Sequence, residues 1–257
     1  MTEPLLLAQG ITKRFAGICA LDHVDLDVME GELIGLIGPN GAGKSTLFAC
    51  LSGLLLPDDG RVTFAGADVT RMPVHHRARL GFGRTFQRME LFSGMTVRDH
   101  LIVATRARHR TGGLGRDLLG QGRVSTAEND AVSAAAALVG GGLPAVIDQP
   151  IESLGLGLGR LVELARTLVT EPRLLFLDEP SSGLDQTETE AMAAVLRRVQ
   201  DERGTTIVLV EHDLATVQEL CTRLFVLDHG VRIATGPTAD VLADQRVREA
   251  YLGKGAA

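Results

Sequence analysis

Tryptophan is absent from this 257-residue chain and tyrosine occurs once, so few large rings are available to stack on a planar ligand. Cysteine occurs three times. Cys19, Cys50 and Cys221 lie too far apart in sequence for metal-ligand spacing, and they read as buried free thiols of a reducing cytosol. An excess of positive charge is also missing. The formal net charge is -6, which removes the basic footprint expected of a nucleic-acid partner. No apolar run reaches the roughly 20 residues that span a bilayer. Stretches such as Leu33–Ile37 and Leu174–Leu177 are short and broken by Gly or charge. The start, Met1-Thr2-Glu3-Pro4, has neither a basic region nor a long apolar core, so no secretory signal is expected there. Together these features lead us to expect a cytoplasmic protein that meets a membrane only through a partner.

What is present is ordinary for a folded domain, with 45% hydrophobic and 23% charged residues. The first thirty residues read as antiparallel strands, because Val24-Asp25-Leu26-Asp27-Val28 alternates apolar and acidic side chains. Glu32–Ile37 is almost continuously apolar, the pattern of a strand covered on both faces. A Gly-rich turn follows, then a helix from about Lys44 to Leu54. Pro57-Asp58-Asp59-Gly60 is turn chemistry before a short strand, Arg61–Ala65. The middle differs. Thr96–Arg108 and the Ala-rich Thr126–Val139 read as helices, and Thr111–Arg123, rich in Gly and Arg, reads as an exposed loop.

Strand and helix then alternate. Leu174–Leu177, Thr205–Val210, Leu224–Leu227 and Val231–Ala234 read as strands; Thr187–Glu202 and His212–Cys221 read as helices. The expected fold is therefore α/β: a core with a mainly parallel sheet, an N-terminal antiparallel β subdomain and an inserted α-helical subdomain. All of it forms one domain over 1–257, with the core at about 1–95 and 170–257 and the helical part at 96–169. His75-His76, His109 and the Arg106–Arg110 cluster read as solvated loop groups and receive no chemistry.

Gly38-Pro39-Asn40-Gly41-Ala42-Gly43-Lys44-Ser45 has the spacing of a phosphate-binding loop, with Thr46 just beyond, between a buried strand and a helix. Glycines let backbone N–H groups turn towards an anion, and the helix N-terminus adds partial positive charge. Lys44 is expected at the β- and γ-phosphates and the Ser45 hydroxyl at Mg²⁺. A nucleoside triphosphate is implied, with no indication of what its energy drives.

Leu174–Leu177 ends in Asp178-Glu179. An acidic turn after a strand reads equally well as solvated surface. Beside a phosphate loop, Asp178 suits a Mg²⁺ ligand and Glu179 a base for the attacking water.

The order of these features resembles the ATP-binding cassette (ABC) ATPases: the loop at Gly38–Ser45, Gln87 after a strand, a helical insertion, the acidic pair, Ser181-Ser182-Gly183-Leu184-Asp185, and His212 after Ile207–Val210. The resemblance covers nearly the whole chain. It implies ATP and Mg²⁺ as ligands. Gln87 would sense both Mg²⁺ and a transmembrane partner, Asp185 would lie in a loop crossing a dimer interface, and His212 would contact the γ-phosphate. Phe15 matches the family's adenine-stacking aromatic; a Phe covering the sheet edge is the other reading.

One motif departs from the pattern. Where such ATPases carry a signature resembling Leu-Ser-Gly-Gly-Gln, this chain reads Leu154-Gly155-Leu156-Gly157-Leu158-Gly159. Gly155 stands at the usual Ser, Gly159 at the usual Gln, and Gly157 is kept. The resemblance implies that this loop caps ATP held by a partner subunit. Either the two composite sites are unequal, or the altered loop works adequately.

Gly81-Phe82-Gly83-Arg84-Thr85-Phe86-Gln87, the Arg/Gly-rich insertion, Val210-Glu211-His212-Asp213-Leu214 and the ending Glu249-Ala250-Tyr251-Leu252-Gly253 resemble ATPases of branched-chain amino acid importers. Such subunits sit at the cytoplasmic face of the membrane with permease subunits and a second ATPase, served indirectly by an external solute-binding protein. Lipid or lipopolysaccharide exporters share much of the pattern. Soluble ABC ATPases usually carry two cassettes or a long coiled coil, and this chain has one phosphate loop and a short insertion.

Overall fold

The computed structural model describes residues 3–85, 90–109 and 124–252. Two sheets organise it. Strands β1 (Leu6–Phe15), β2 (Ile18–Val28), β4 (Asp59–Phe64) and β5 (Ala67–Asp68) form an antiparallel sheet in the order β2-β1-β4-β5. Strands β3 (Leu33–Ile37), β6 (Phe82–Arg84), β7 (Leu174–Asp178), β8 (Thr206–Val210), β9 (Arg223–Asp228) and β10 (Val231–Pro237) form the second sheet. Its order is β10-β9-β3-β8-β7-β6, parallel except for β10 at one edge.

The continuous apolar runs have the cause expected of them. In β3, Ile34 and Leu36 point into the core shared with the antiparallel sheet, while Leu33 and Ile37 point into the core under the helices. β7 and β8 divide the same way: Leu174, Phe176, Val208 and Val210 on one side, Leu175, Leu177, Ile207 and Leu209 on the other. A strand covered on both faces has no polar face to alternate with. In β2, by contrast, Val24, Leu26 and Val28 are buried and Asp25 is exposed, giving the alternation read from the sequence.

Between β6 and β7 the named elements are helical: α3 (Val97–His109), α4 (Thr126–Val139) and α5 (Leu156–Leu168), with two 3₁₀ turns, Leu143–Val146 and Ile151–Ser153. These helices have no core of their own. Val97, Leu101, Val132 and Leu164 belong to the same cluster as Leu175 and Leu209 of the parallel sheet. The remaining helices are α1 (Lys44–Ser52), α2 (Val74–Leu80), α6 (Gln186–Arg203), α7 (Leu214–Leu220), α8 (Thr238–Ala243) and α9 (Gln245–Leu252).

Four expectations are corrected. His75 and His76 lie on α2, a helix with no apolar stripe to announce it. Its one fully buried residue is Arg77, 1% exposed. The Arg77 guanidinium donates to the carbonyls of Leu51 at 2.6 Å and Thr70 at 3.0 Å, so it takes up a carbonyl left over at the C-terminal end of α1. Arg106 and Arg108 lie on α3, and His109 ends it. Arg106 Nε donates to Glu128 Oε1 at 2.7 Å, and that bond holds the Glu128 carboxyl down at about 2. Glu128 also closes a capping box with Ser125 at the start of α4. Cys19 is exposed, unlike Cys50 and Cys221, because the outer end of β2 runs past the core. Finally, α7 begins only at Leu214. Asp213 caps it, accepting from the N–H groups of Ala215 and Thr216, both at 3.1 Å, which leaves His212 outside the helix. Residues 111–123 lie outside the described residues.

Candidate active site

The site grows from the ends of three adjacent strands. β3, β7 and β8 are parallel neighbours, so their C-terminal ends deliver Gly38, Asp178 and the Glu211-His212 pair to one edge. Gly38 has φ 147°, and a Cβ there would stand 2.1 Å from the Leu227 carbonyl oxygen. Gly43 has φ 101°, and its Cβ would meet the Ala20 carbonyl at 2.6 Å. Only glycine fits either position. Gly43 is also the N-cap of α1 and offers no side-chain acceptor, so the first N–H groups of α1 keep their capacity for an external anion.

A cleft of about 440 Å³ opens here, lined by Asn40–Thr46, Glu179, His212, His229, Gly230 and one end of β2 at Ile18–Ala20. Pro39 adjoins it, its carbonyl accepting from the Ala42 N–H at 3.1 Å. Lys44 is buried, and its ammonium donates to the carbonyls of Gly38 at 2.7 Å and Pro39 at 3.0 Å. Burial lowers its pKa, against the pull of the Glu179 and Asp178 carboxylates. Ser45 and Thr46 stand on the first turn of α1.

Asp178 is 6% exposed at the end of β7. Burial raises its pKa, and the Arg84 guanidinium, 3.7 Å away, opposes the rise. Arg84 in turn donates to Ser52 Oγ at 2.6 Å and covers the Phe48 ring, its Cζ 4.7 Å from the centroid. Glu179 adopts φ 51°, a left-handed backbone uncommon for a residue other than glycine, and its N–H donates to the Val210 carbonyl at 2.9 Å. That turn carries its carboxylate to the neighbouring strand end, where Oε1 lies 2.5 Å from His212 Nε2. Sequence reasoning missed what holds the two loops together. Glu211, 4% exposed, accepts from the Ser181 N–H at 3.0 Å and from Ser181 Oγ at 2.6 Å. A carboxylate beside an apolar strand end was the available signal.

The same chain of features recurs in known proteins. A family profile described as ABC transporter matches residues 21–182, and one described as branched-chain amino acid ATP-binding cassette transporter matches residues 231–257. The high-affinity branched-chain amino acid transport ATP-binding protein LivG of Salmonella typhimurium is 37% identical over 255 residues, covering 99% of this chain and 100% of the relative. The chain belongs to the ABC transporter ATP-binding proteins. BraF of Pseudomonas aeruginosa, likewise a branched-chain amino acid transport ATP-binding protein, is 35% identical over the same length. A nucleotide-free ATP-binding cassette from an ABC transporter superposes with a TM-score of 0.84 at 28% identity, over 98% of this chain and 100% of that one. This chain therefore has the ABC cassette fold and is an ATPase.

The cassette divides the residues singled out in the sequence into two groups. Asn40–Thr46, Glu179 and His212 share the cleft. Gly155, Gly157 and Asp185 are not among its lining residues and sit together elsewhere. Gly155 is the N-cap of α5 and Asp185 the N-cap of α6. A Cβ on Gly157 would stand 2.4 Å from Oε1 of Glu188, the capping-box partner of Asp185. Phe15 ends β1 at 45% exposure and pairs in register with Ile18, which does line the cleft. Gln87 lies outside the described residues.

Proposed function

We propose that this ATPase drives an importer for branched-chain amino acids or similar small polar solutes. In this reading it works at the cytoplasmic face of the cell membrane, on transmembrane permease subunits, beside a second ATPase subunit and supplied indirectly by an external solute-binding protein. The observation that carries the proposal is the length-for-length match to LivG and BraF. The separate match of residues 231–257 to a branched-chain family points the same way. The cassette CbiO1 of Clostridium perfringens, 26% identical with a TM-score of 0.80, is itself part of an ABC transporter complex.

In the chemistry we infer, ATP occupies the cleft with its phosphates on the N–H groups of Gly41 and of Gly43–Thr46 and on Lys44. Mg²⁺ would be held by Ser45 and Asp178, with Gln87 completing the set. Among the described residues no group of three or more His, Cys, Asp or Glu side chains could hold a metal. Mg²⁺ on a nucleotide needs none, because it takes one or two protein oxygens and fills its remaining positions with phosphate and water. A hydroxyl on the first turn of α1 and a buried carboxylate fit that demand. Bound there, the ion would neutralise charge developing on the phosphate oxygens. Glu179 accepts the proton of the attacking water, and His212, paired with it, fixes that water and the γ-phosphate. Phe15 stacks on adenine.

Gly155, Gly157 and Asp185 act on nucleotide held by the partner subunit, which their separation from this chain's own cleft supports. They are presented by the helical part, 96–169, and by the start of α6, within one domain spanning 1–257. Gly155 then weakens the site it caps. Its φ of −68° and ψ of 167° suit any L-residue, and a Cβ added there would meet nothing within 4 Å. Serine there would accept from an orphan N–H of α5 and still donate its own proton to a phosphate. One charge-assisted bond is worth about 1.5–3 kcal/mol. Gly155→Ser should therefore raise ATP turnover of the assembled transporter several-fold, and an unchanged rate would mean the present loop already works fully.

The import reading is tested by mass spectrometry of what co-purifies with the tagged chain from gently solubilised native membranes. Two membrane subunits and a second, related ATPase are expected. A homodimer with lipid-handling membrane proteins would replace import by export. Recovery only from the soluble fraction, with ribosomes or DNA proteins, would overturn transport and leave the ATPase chemistry standing.

A further inference from the structure

The chain's single tyrosine reaches the nucleotide loop. Tyr251 stands on α9, the last described helix, and its hydroxyl oxygen accepts from the Gly38 N–H at 2.8 Å. The two residues are 213 positions apart. Gly38 is where β3 leaves the sheet. Up to Ile37 the strand is paired in register with β9, the last pair being Ile37 with Val226. One residue later the chain bends into the loop, pressed so closely on the Leu227 carbonyl that no side chain fits. The peptide at this bend is buried, and a buried N–H without an acceptor is costly. Tyr251 supplies the acceptor.

The tyrosine is itself held. Val247, one turn earlier on α9, is buried at 3%, and the Tyr251 ring packs against the same core. Burial also raises the phenol pKa, so the hydroxyl keeps its proton. From the other side, the carbonyl of Gly38 accepts from the Lys44 ammonium. One residue thus lies between the C-terminal helix and the lysine that meets phosphate. The helix comes from the segment matching the branched-chain family, 231–257, whereas the loop lies in the general ABC match.

We infer that Tyr251 is a positioning residue for the nucleotide loop, and that through it α9 and the ATP site are thermodynamically coupled. The inference rests on the reading of this cleft as the ATP site. ATP needs the loop closed around its phosphates. With the Gly38 amide held, the loop is already in that shape; with the amide released it samples others, and binding must select among them. Coupling is reciprocal, so nucleotide must also steady α9.

The test uses the full-length chain and the non-hydrolysable analogue AMP-PNP with Mg²⁺. Tyr251→Phe removes one oxygen and keeps the ring. Its Kd for AMP-PNP should rise about three- to tenfold, the range of one net hydrogen bond. Its melting temperature without nucleotide should fall by about 2–4 °C, the loss of one net hydrogen bond, and by less than that of Tyr251→Ala. In steady state the KM for ATP should rise far more than kcat changes. An unchanged Kd would overturn the inference. So would a Kd change accompanied by the same loss of melting temperature as Tyr251→Ala, which would make the hydroxyl merely structural. Hydrogen exchange on the wild type gives a second readout that needs no variant. AMP-PNP should slow exchange in α9, and an unaffected α9 would also overturn the coupling. Wild type that fails to bind AMP-PNP at all would instead sink the nucleotide reading of the cleft, and this inference with it.

Discussion

Glu179→Gln is expected to bind ATP normally and to turn it over about 10²–10⁴-fold more slowly, the usual worth of a positioned general base. Glutamine has the same shape as glutamate and cannot take a proton. The backbone that aims the side chain does not depend on the carboxylate, since it is set by the φ of 51° and by the N–H bond to the Val210 carbonyl. The amide therefore occupies the same place beside His212. Affinity survives because the phosphate donors lie on Gly41 and Gly43–Thr46, not on β7. Charge points the same way. Glu179 is the largest negative influence on the Lys44 ammonium, and its removal leaves that cation freer for phosphate. The variant should accumulate with ATP bound, held against its partner subunit, since hydrolysis of that ATP is what separates them. Single-turnover phosphate release, together with the nucleotide retained through gel filtration, measures both halves. A near-normal rate would remove Glu179 from the role of base. Slow turnover with lost ATP binding would mean that the carboxylate shapes the cleft itself.

Much of this site was legible because it is built from short-range chemistry. The loop Gly38–Ser45 is recognisable since its whole pattern lies in eight consecutive residues, with glycines where the backbone turns to positive φ at 38, 41 and 43. β3, β7 and β8 were legible because burial on both faces removes alternation from the sequence. The helix Thr126–Val139 was legible because Ser125 and Glu128 write a capping box into it. What escaped depends on residues far apart. Nothing local tells that Arg77, in a polar heptapeptide, folds into a helix to reach the end of α1. Nothing near Glu211 names Ser181, thirty positions earlier, as its donor. The start of α7 was misjudged for a different reason: Asp213 is favoured as the residue just before a helix but also occurs in a first turn, and its hydrogen bonds to Ala215 and Thr216 decide for the cap. That decision matters to function, because it frees His212 to face Glu179.

Lys44→Ala is expected to lose at least about two orders of magnitude in ATP affinity, since charge-assisted phosphate bonds are worth about 1.5–3 kcal/mol each and the ammonium can make more than one. The loss has two sources that a titration can separate. Lys44 meets phosphate, and it also ties the carbonyls of Gly38 and Pro39 to the start of α1. Alanine deletes both. The second loss is partly buffered. Ala42 donates to the Pro39 carbonyl at 3.1 Å, Gly230 donates to the Ala42 carbonyl at 2.9 Å, and Tyr251 still holds the Gly38 amide. The loop should therefore keep its path, and the melting temperature without nucleotide should fall only slightly. Affinity, by contrast, has no substitute cation within the cleft's described lining, where His212 and His229 are the only other basic groups. The expected signature is a large rise in Kd for AMP-PNP with a nearly unchanged melting temperature. A comparable fall in both affinity and melting temperature would show that Lys44 holds the loop more than it holds the nucleotide. Tight binding by the variant would remove the phosphates from this end of α1 altogether, and the assignment of the cleft would go with them.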